Sequence, residues 1–448
     1  MLEDDIEQLA ITELQALGYH FIHGSVIAPD GDRPERESFS DVILENRLRE
    51  AIARINPNIP PSAQEEALSR VKRIHSPELL TNNENFHRLL TEGVPVSFQK
   101  DGNTRGEIVW LIDYKNIHND LLVVNQFTVV EDNRNKRPDI ILFINGLPLV
   151  VIELKNAVNE KATIHNAFKQ IETYKATIPS LFTFNAFNVI SDGLEARAGS
   201  LSAGFSRFMS WKTTDGISEA SQLDNGLETL IRGQLRPKVL LDLIKHFTVF
   251  EKTRKEDPNT GTITVETVKK VAAYHQYYAV NKAVESTLRA SGQNGDRKGG
   301  VVWHTQGSGK SLSMVFYTGK IVQRLGNPTI IIITDRNDLD DQLFDTFAAS
   351  KQLLRQEPVQ AEDRDHLKKL LKVASGGVVF STIQKFQPEE GNVYETLTQR
   401  SNVVVIADEA HRTQYGFKAK VVDDKDENNN VIGKKTVYGF AKYMRDAL

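Results

Sequence analysis

Asp139, Glu153 and Lys155 are the residues of this chain whose types and spacing most directly imply chemistry. Asp139 opens the apolar run Ile140-Ile141-Leu142-Phe143-Ile144. Asn145-Gly146 turns the chain, and a second apolar run returns to Glu153-Leu154-Lys155. Two carboxylates converging at the rim of a sheet bind a hard divalent cation, here expected to be Mg2+, through oxygen. Such an ion polarises a scissile phosphate and lowers the pKa of a bound water. The Lys155 ammonium can orient that water or stabilise developing negative charge. Gln170 and Tyr174 stand four apart in an expected helix, hence on one face, where they can reach the same site or its nucleic acid. The expected chemistry is metal-dependent phosphodiester cleavage.

Side chains two apart in a strand share a face, so Glu153 and Lys155 point together and Leu154 points away. Asp139 joins them only when the pairing sum is even, as for 139 with 153. That requires a loop of odd length or a bulge rather than a two-residue Asn-Gly turn, and Pro148 favours an irregular loop. In isolation, an Asp followed by Glu-x-Lys is more often a solvated strand end. The strongly apolar strands, Pro138 before the aspartate and Gln-x-x-x-Tyr at helix distance favour the nuclease reading.

A second group binds nucleotide. His304-Thr305-Gln306-Gly307-Ser308-Gly309-Lys310-Ser311 follows the short apolar run Val301-Val302-Trp303, and Asp408-Glu409-Ala410-His411 follows Val403-Val404-Val405-Ile406. A loop of this kind between strand and helix presents backbone N–H groups to phosphate oxygens. Thr305, Gly307, Ser308 and Gly309 form the cradle, Lys310 reaches the β- and γ-phosphates of ATP, and Ser311 ligates Mg2+. His304 stands where the strict pattern has glycine. Asp408 holds the Mg2+ shell and Glu409 is the candidate base for the attacking water. His411 is placed to couple this site to a following domain. Gln276, in Tyr274-His275-Gln276, can read adenine through its amide, a polar helix surface being the plainer alternative.

A chain of 448 residues is too long for one ordinary core, so two or three domains are expected. The absence of cysteine excludes disulfides and cysteine-ligated metal, and fits a reducing cytoplasm. The acidic N-terminus lacks the order of a signal peptide, and the apolar runs are far short of a membrane span. Net charge is −4, so DNA must be held by local concentrations of positive charge. The first 50 residues hold 12 Asp and Glu against 4 Lys and Arg, which places DNA elsewhere.

The elements that must position these groups follow from apolar period. Helices are expected over 6–17, through much of 40–95, and over 162–176. Strands are expected over 108–112, 121–124, 127–130, 139–144, 149–155, 187–191 and 208–212. The polar stretch 251–261 reads as a linker or hairpin and marks the domain boundary. Beyond it a helix over 268–289 leads into strands at 300–303, 329–334, 378–381 and 403–407, alternating with helices at 311–325 and 339–347. That alternation, with near-continuously apolar strands, is the pattern of a parallel α/β sheet covered on both faces.

The same residues carry a family resemblance. Arg137-Pro138-Asp139-Ile140, Val150-Val151-Ile152-Glu153-Leu154-Lys155-Asn156, Gln170-x-x-x-Tyr174, Ser210-Trp211-Lys212, Tyr274-His275-Gln276, the loop 303–311, Thr334-Asp335-Arg336-Asn337-Asp338-Leu339-Asp340, Thr382-Ile383-Gln384-Lys385-Phe386 and Asp408-Glu409-Ala410-His411-Arg412 span most of 105–417. In them the chain resembles the motor and cleavage (R) subunits of type I restriction enzymes, whose phosphate loop takes the His304 form. The resemblance implies a PD-(D/E)xK (RecB-like) nuclease domain, here 1–260, followed by a RecA-like superfamily 2 helicase domain, here 261–448. It implies Asp139, Glu153 and Lys155 for cleavage and Lys310, Asp408 and Glu409 for ATP. It further implies ATP-driven translocation of double-stranded DNA, and methyltransferase and specificity subunits as partners. Related nucleases add an acidic metal ligand from an early helix; Glu7 is the candidate and Glu13 the reserve. The family's next motor segment, Thr-Gly-Thr-Pro-like, does not occur in the 37 residues after His411, so an N-terminal fragment ending inside the first motor domain is expected. Two alternatives stand beside this reading: a DNA helicase or remodeller with a vestigial nuclease domain, and a non-catalytic docking arm.

Overall fold

The computed structural model describes residues 3–448 except 101, 116, 156–162, 222–223, 257–260, 262, 335–336, 374, 387–395, 398–399, 401, 411–419, 426–430, 438–441, 443 and 445–447. His411 and Asn156 therefore lie outside the described residues. The chain divides into two compact units, one of Met1–Phe250 with Lys255–His275, the other of Gln276–Leu448 with Glu251–Arg254.

The first unit is built on a six-stranded mixed sheet. Its strands lie in the order His20–His23, Leu121–Asn125, Ile140–Ile144, Leu147–Leu154, Phe187–Ser191, Ala196–Gly199. The central hairpin is antiparallel, and Leu147–Leu154 then runs parallel to Phe187–Ser191. Every residue of Ile140–Ile144 and of Leu147–Leu154 is buried, so both faces are covered, which explains apolar runs without polar alternation. The helix Ile164–Thr177 packs Ala167 and Ile171, one turn apart, against the two parallel strands. The helix Glu3–Ala16 buries Ile6, Ala10, Ile11 and Leu14 and packs on the strands His20–His23, Leu121–Asn125 and Leu147–Leu154. Between 40 and 95 the expected helices are Glu45–Ile55, Pro61–Lys72 and Leu79–Glu92.

The hairpin solves the parity condition in an unexpected way. Its turn is the two-residue Asn145-Gly146, at φ 53° and 76°, the left-handed pair that suits a tight hairpin. Ile144 faces Leu147 and Phe143 faces Pro148, but Leu142 faces Val150. Leu149 is thus the extra residue of a bulge. Beyond it the pairing sum becomes even, Ile140 faces Ile152, and the next pair is Asp139 with Glu153.

Three expected elements differ. No strand forms over 208–212; only Met209 bridges, to Ala198. The stretch 268–271 is the end of the strand Ile263–Val271, paired with Thr248–Glu256, and the helix starts at Tyr274. Val301, Val302 and Trp303 form no strand and are exposed, Trp303 to 91%.

The second unit holds a parallel sheet in the order Pro358–Gln360, Val378–Thr382, Thr329–Thr334, Val403–Ala407. On one face Ile331, Ile333 and Val379 pack with Leu367 and Leu371 of the helix Arg364–Leu371. On the other, Phe380 meets Phe344 and Phe347 of the helix Asn337–Ala349 edge to face. Helices thus pack on both faces of its central strands, while the edge strand Val403–Ala407 stays partly exposed, Val405 to 37%.

Candidate functional site

The bulged hairpin brings the first group together. The Asp139 carboxylate accepts the Leu154 N–H at 2.8 Å, which ties the start of one strand to the end of the other. Glu153 is 2% exposed, and its Oε1 accepts the Lys155 ammonium at 2.8 Å. Its Oε2 is buried and has no hydrogen-bond partner within 3.5 Å among the described residues, with the Tyr174 phenol near enough to help hold the carboxyl down. Burial is the largest influence on both carboxyls. It raises Asp139 to about 6 against the Leu154 N–H and the Lys155 charge, and raises Glu153 to about 8, reinforced by the charge of Asp139. Burial lowers the Lys155 ammonium, but Glu153, Asp139 and Glu3 outweigh it and leave that group above its usual value.

The helix Ile164–Thr177 delivers Tyr174, whose hydroxyl donates to the Arg137 carbonyl at 3.3 Å. Burial, then the Glu153 charge, raises the Tyr174 phenol. Gln170 hydrogen-bonds to that phenol and helps hold it down, so the pair four apart on one helix face acts together beside Glu153.

The first helix supplies more acid than expected. Glu7 accepts the Asn125 amide at 2.6 Å and the Gln126 amide at 2.8 Å, and its charge raises Asp139. Glu3, one turn earlier and not singled out from sequence, approaches Lys155 Nζ at 3.3 Å. The i, i+4 spacing of Glu3 and Glu7 was the available signal. Glu13 is turned elsewhere and forms a two-contact ion pair with Arg232 at 2.6 and 2.7 Å. Among the described residues no three His, Asp or Glu side chains are grouped to hold a metal ion. The unpartnered Glu153 oxygen, opposite a second carboxyl kept high by burial, nevertheless fits one divalent cation of oxygen preference.

The second group converges within the other unit. Gly307 and Gly309 both have φ near 80°, and Ser308 closes a turn on the Thr305 carbonyl through its N–H and hydroxyl. Lys310 and Ser311 then open the helix Lys310–Arg324, so its free N–H groups point out of the loop. Gln276 is buried and donates to the Gly309 carbonyl at 3.1 Å, which places it on the loop itself. Lys310 Nζ lies 3.1 Å from Glu409 Oε1. Asp408 ends the strand Val403–Ala407, its N–H bonded to the Ile333 carbonyl and its Oδ1 to the Glu409 N–H. Burial raises the Asp408 carboxyl, partly offset by that N–H. Glu409 has φ 46°, a left-handed conformation costly for a residue with a side chain. These residues fit a phosphate chain and its cation: amides at a helix end, one lysine, one hydroxyl and one carboxylate at a strand end.

Two family models match the chain, one toward each end. A family model described as "Type I restriction enzyme R protein N terminus" matches residues 1–207, and one described as "SWI2/SNF2 ATPase" matches residues 275–448. The type I restriction enzyme HindI endonuclease subunit of Haemophilus influenzae is 44% identical over all of this chain and 41% of its own length. The putative type I restriction enzyme MjaIXP endonuclease subunit of Methanocaldococcus jannaschii is 36% identical over 93% of this chain and 40% of its own. The type I restriction enzyme SauMSSORF170P endonuclease subunit of Staphylococcus aureus is 27% identical over 77% and 34%. The chain thus spans about two fifths of the relatives it matches best. With similarity to these subunits running along 93% to 100% of its own length in the first two, the chain belongs to the family of type I restriction enzyme R (endonuclease) proteins.

Proposed function

We propose that this chain forms the cleavage site and the first nucleotide-binding part of an R subunit that moves double-stranded DNA with ATP and cuts it. On this reading residues 1–260 are a PD-(D/E)xK nuclease domain and 261–448 a RecA-like helicase domain. Methyltransferase and specificity subunits are its partners. The observation that carries the nuclease half is the buried, unpartnered Glu153 oxygen facing Asp139, with Lys155 held on the other Glu153 oxygen. A buried carboxylate oxygen left without a partner is costly, and the Lys155 ammonium relieves only the other oxygen.

Asp139 and Glu153 would hold Mg2+, with Glu7 and Glu3 of the first helix as the further carboxylates whose charge reaches Asp139. When bound, the ion would polarise the scissile phosphate and supply activated water. Lys155 keeps its proton and stands where negative charge develops. Gln170 and Tyr174 brace Glu153 from the helix and face the DNA. In the motor half the Gly307 to Ser311 amides, with Thr305, would cradle the phosphates of ATP. Lys310 must leave Glu409 to reach them, and that separation frees Glu409 to act as base. Ser311 and Asp408 would hold the second Mg2+.

The test is plasmid cleavage by the R subunit assembled with its methyltransferase and specificity partners, with Mg2+, with EDTA, and with or without ATP. Cutting that needs both Mg2+ and ATP is expected. Mg2+-dependent ATP turnover without any cutting would favour the remodeller reading, and neither activity would favour the docking arm.

A further inference from the structure

The helix Ile164–Thr177 presents a second group of side chains. Its His165 and Phe168 rings lie 6.1 Å apart and nearly parallel, at 22°. Phe205, from the loop after the last sheet strand, meets His165 edge-on at 4.7 Å and Phe168 at 5.6 Å. The Arg197 guanidinium lies 5.2 Å from the centre of the Phe205 ring. Phe208, buried beneath, anchors the group through Phe168 at 5.4 Å. His165 is exposed, while Phe168 and Phe205 are half-buried. Lys169 and Arg207 are exposed beside them and form no ion pair among the described residues.

A small aromatic cluster under a loop needs no function by itself. Two features exceed that. An exposed histidine stacks on the cluster rather than another apolar residue, and Lys169 and Arg207 are exposed here in a chain of net charge −4, Arg197 being already paired with Glu195. Aromatic faces with cations beside them bind unpaired nucleotides: bases stack on rings and phosphates meet Lys and Arg. In a duplex the base faces are already stacked on each other. Tyr174 of the same helix lies beside Glu153, and His165, nine residues earlier and so on the opposite side of the helix, puts the cluster across that helix from the cleavage site. A helix with its side chains is about 10–12 Å across, the span of about three stacked bases at ~3.4 Å each.

We infer that His165, Phe168 and Phe205, flanked by Lys169 and Arg207, form a stacking platform for unpaired DNA one helix width from the scissile phosphate. This rests on the nuclease reading, and implies that the strand being cut is locally opened.

The test is fluorescence anisotropy of the full chain with a 5′-labelled mixed-sequence single-stranded DNA and with the same sequence as duplex, Ca2+ replacing Mg2+ to prevent cutting. Phe205→Ala and His165→Ala should each weaken single-strand binding by about 5- to 150-fold and change duplex binding less than about twofold. Phe205→Leu retains apolar volume for the loop and should weaken single-strand binding as Phe205→Ala does. 2-Aminopurine in the single strand should be quenched by the wild type and less by Phe205→Leu. Wild-type single-strand affinity in Phe205→Leu, or equal losses for both DNA forms, would overturn the platform. Plasmid cutting by the assembled wild-type enzyme is read in parallel. Cutting with no loss in the ring variants refutes the platform alone, whereas ring-dependent binding without any cutting refutes the nuclease reading and leaves the platform standing.

Discussion

Glu153 is the residue whose setting is hardest to explain without a cation. Its carboxyl is raised by burial and by Asp139 to about 8, and Asp139 is raised to about 6. Both lie above their ordinary values of 4.5 and 3.8, so their contribution to stability is fully present below those values and lost as pH rises through the folded ones. The metal-free chain is therefore expected to lose stability as pH rises from about 4 through about 8. A divalent cation binds the ionised form and so competes with protons. Mg2+ or Ca2+ should raise the thermal unfolding midpoint more at pH 8.5 than at pH 6, and Glu153→Gln should remove most of that difference. The same cation effect at both pH values in wild type and variant would place the ion elsewhere.

At the scale of elements, the hairpin turn positions both carboxylates. Gly146 has φ +76°, and a Cβ there would meet the Leu44 carbonyl at 2.4 Å. Gly146→Ala should therefore destabilise by more than about 1 kcal/mol, read as a lower urea midpoint, with cleavage falling alongside. A second prediction belongs to the strand Ile263–Val271. Lys269 is fully buried, its ammonium donating to Asn83 Oδ1 and the Asn185 carbonyl at 2.8 Å each. Burial lowers it to about 7 from 10.5. Its contribution to stability is present above the unfolded value and lost as pH falls through the folded one. Urea midpoints should rise between about pH 7 and 10, and Lys269→Met should flatten that rise; an unchanged slope would show that Lys269 is not the group responsible.

These elements also show what sequence could and could not disclose. Strands 329–334 and 403–407 are legible to the residue because each is a continuous apolar run cut off by a polar residue, and 187–191 is so despite Asn188 within it. The parity of the hairpin demanded an irregularity, but nothing local marks Leu149 as the bulged residue, because the bulge depends on pairing across two strands. Glu3 looked like one more solvated acid, and only its approach to Lys155 distinguishes it. Val301-Val302-Trp303 has strand composition yet pairs with no strand among the described residues, since three apolar residues form a strand only where a partner edge receives them. The helical spacing over 268–289 holds only from Tyr274, because 268–271 is taken up by the end of the strand Ile263–Val271.

In the whole molecule two chemistries are expected in separate places, one centred on Glu153 and the other on Lys310. Lys310 now sits against Glu409 at 3.1 Å, and Lys310→Ala should abolish ATP turnover and, with it, cutting that depends on translocation. Glu153→Gln removes one charge from the metal pair and leaves the nucleotide loop untouched. The most direct measurement is DNA cleavage and phosphate release followed together in the complete restriction assembly carrying Glu153→Gln. ATP turnover within about twofold of wild type, with cutting reduced by more than about 10²-fold, the scale of losing one transition-state contact, is the predicted result. Retained cutting, or loss of both activities together, would contradict a metal site at Asp139 and Glu153 that is separate from the motor.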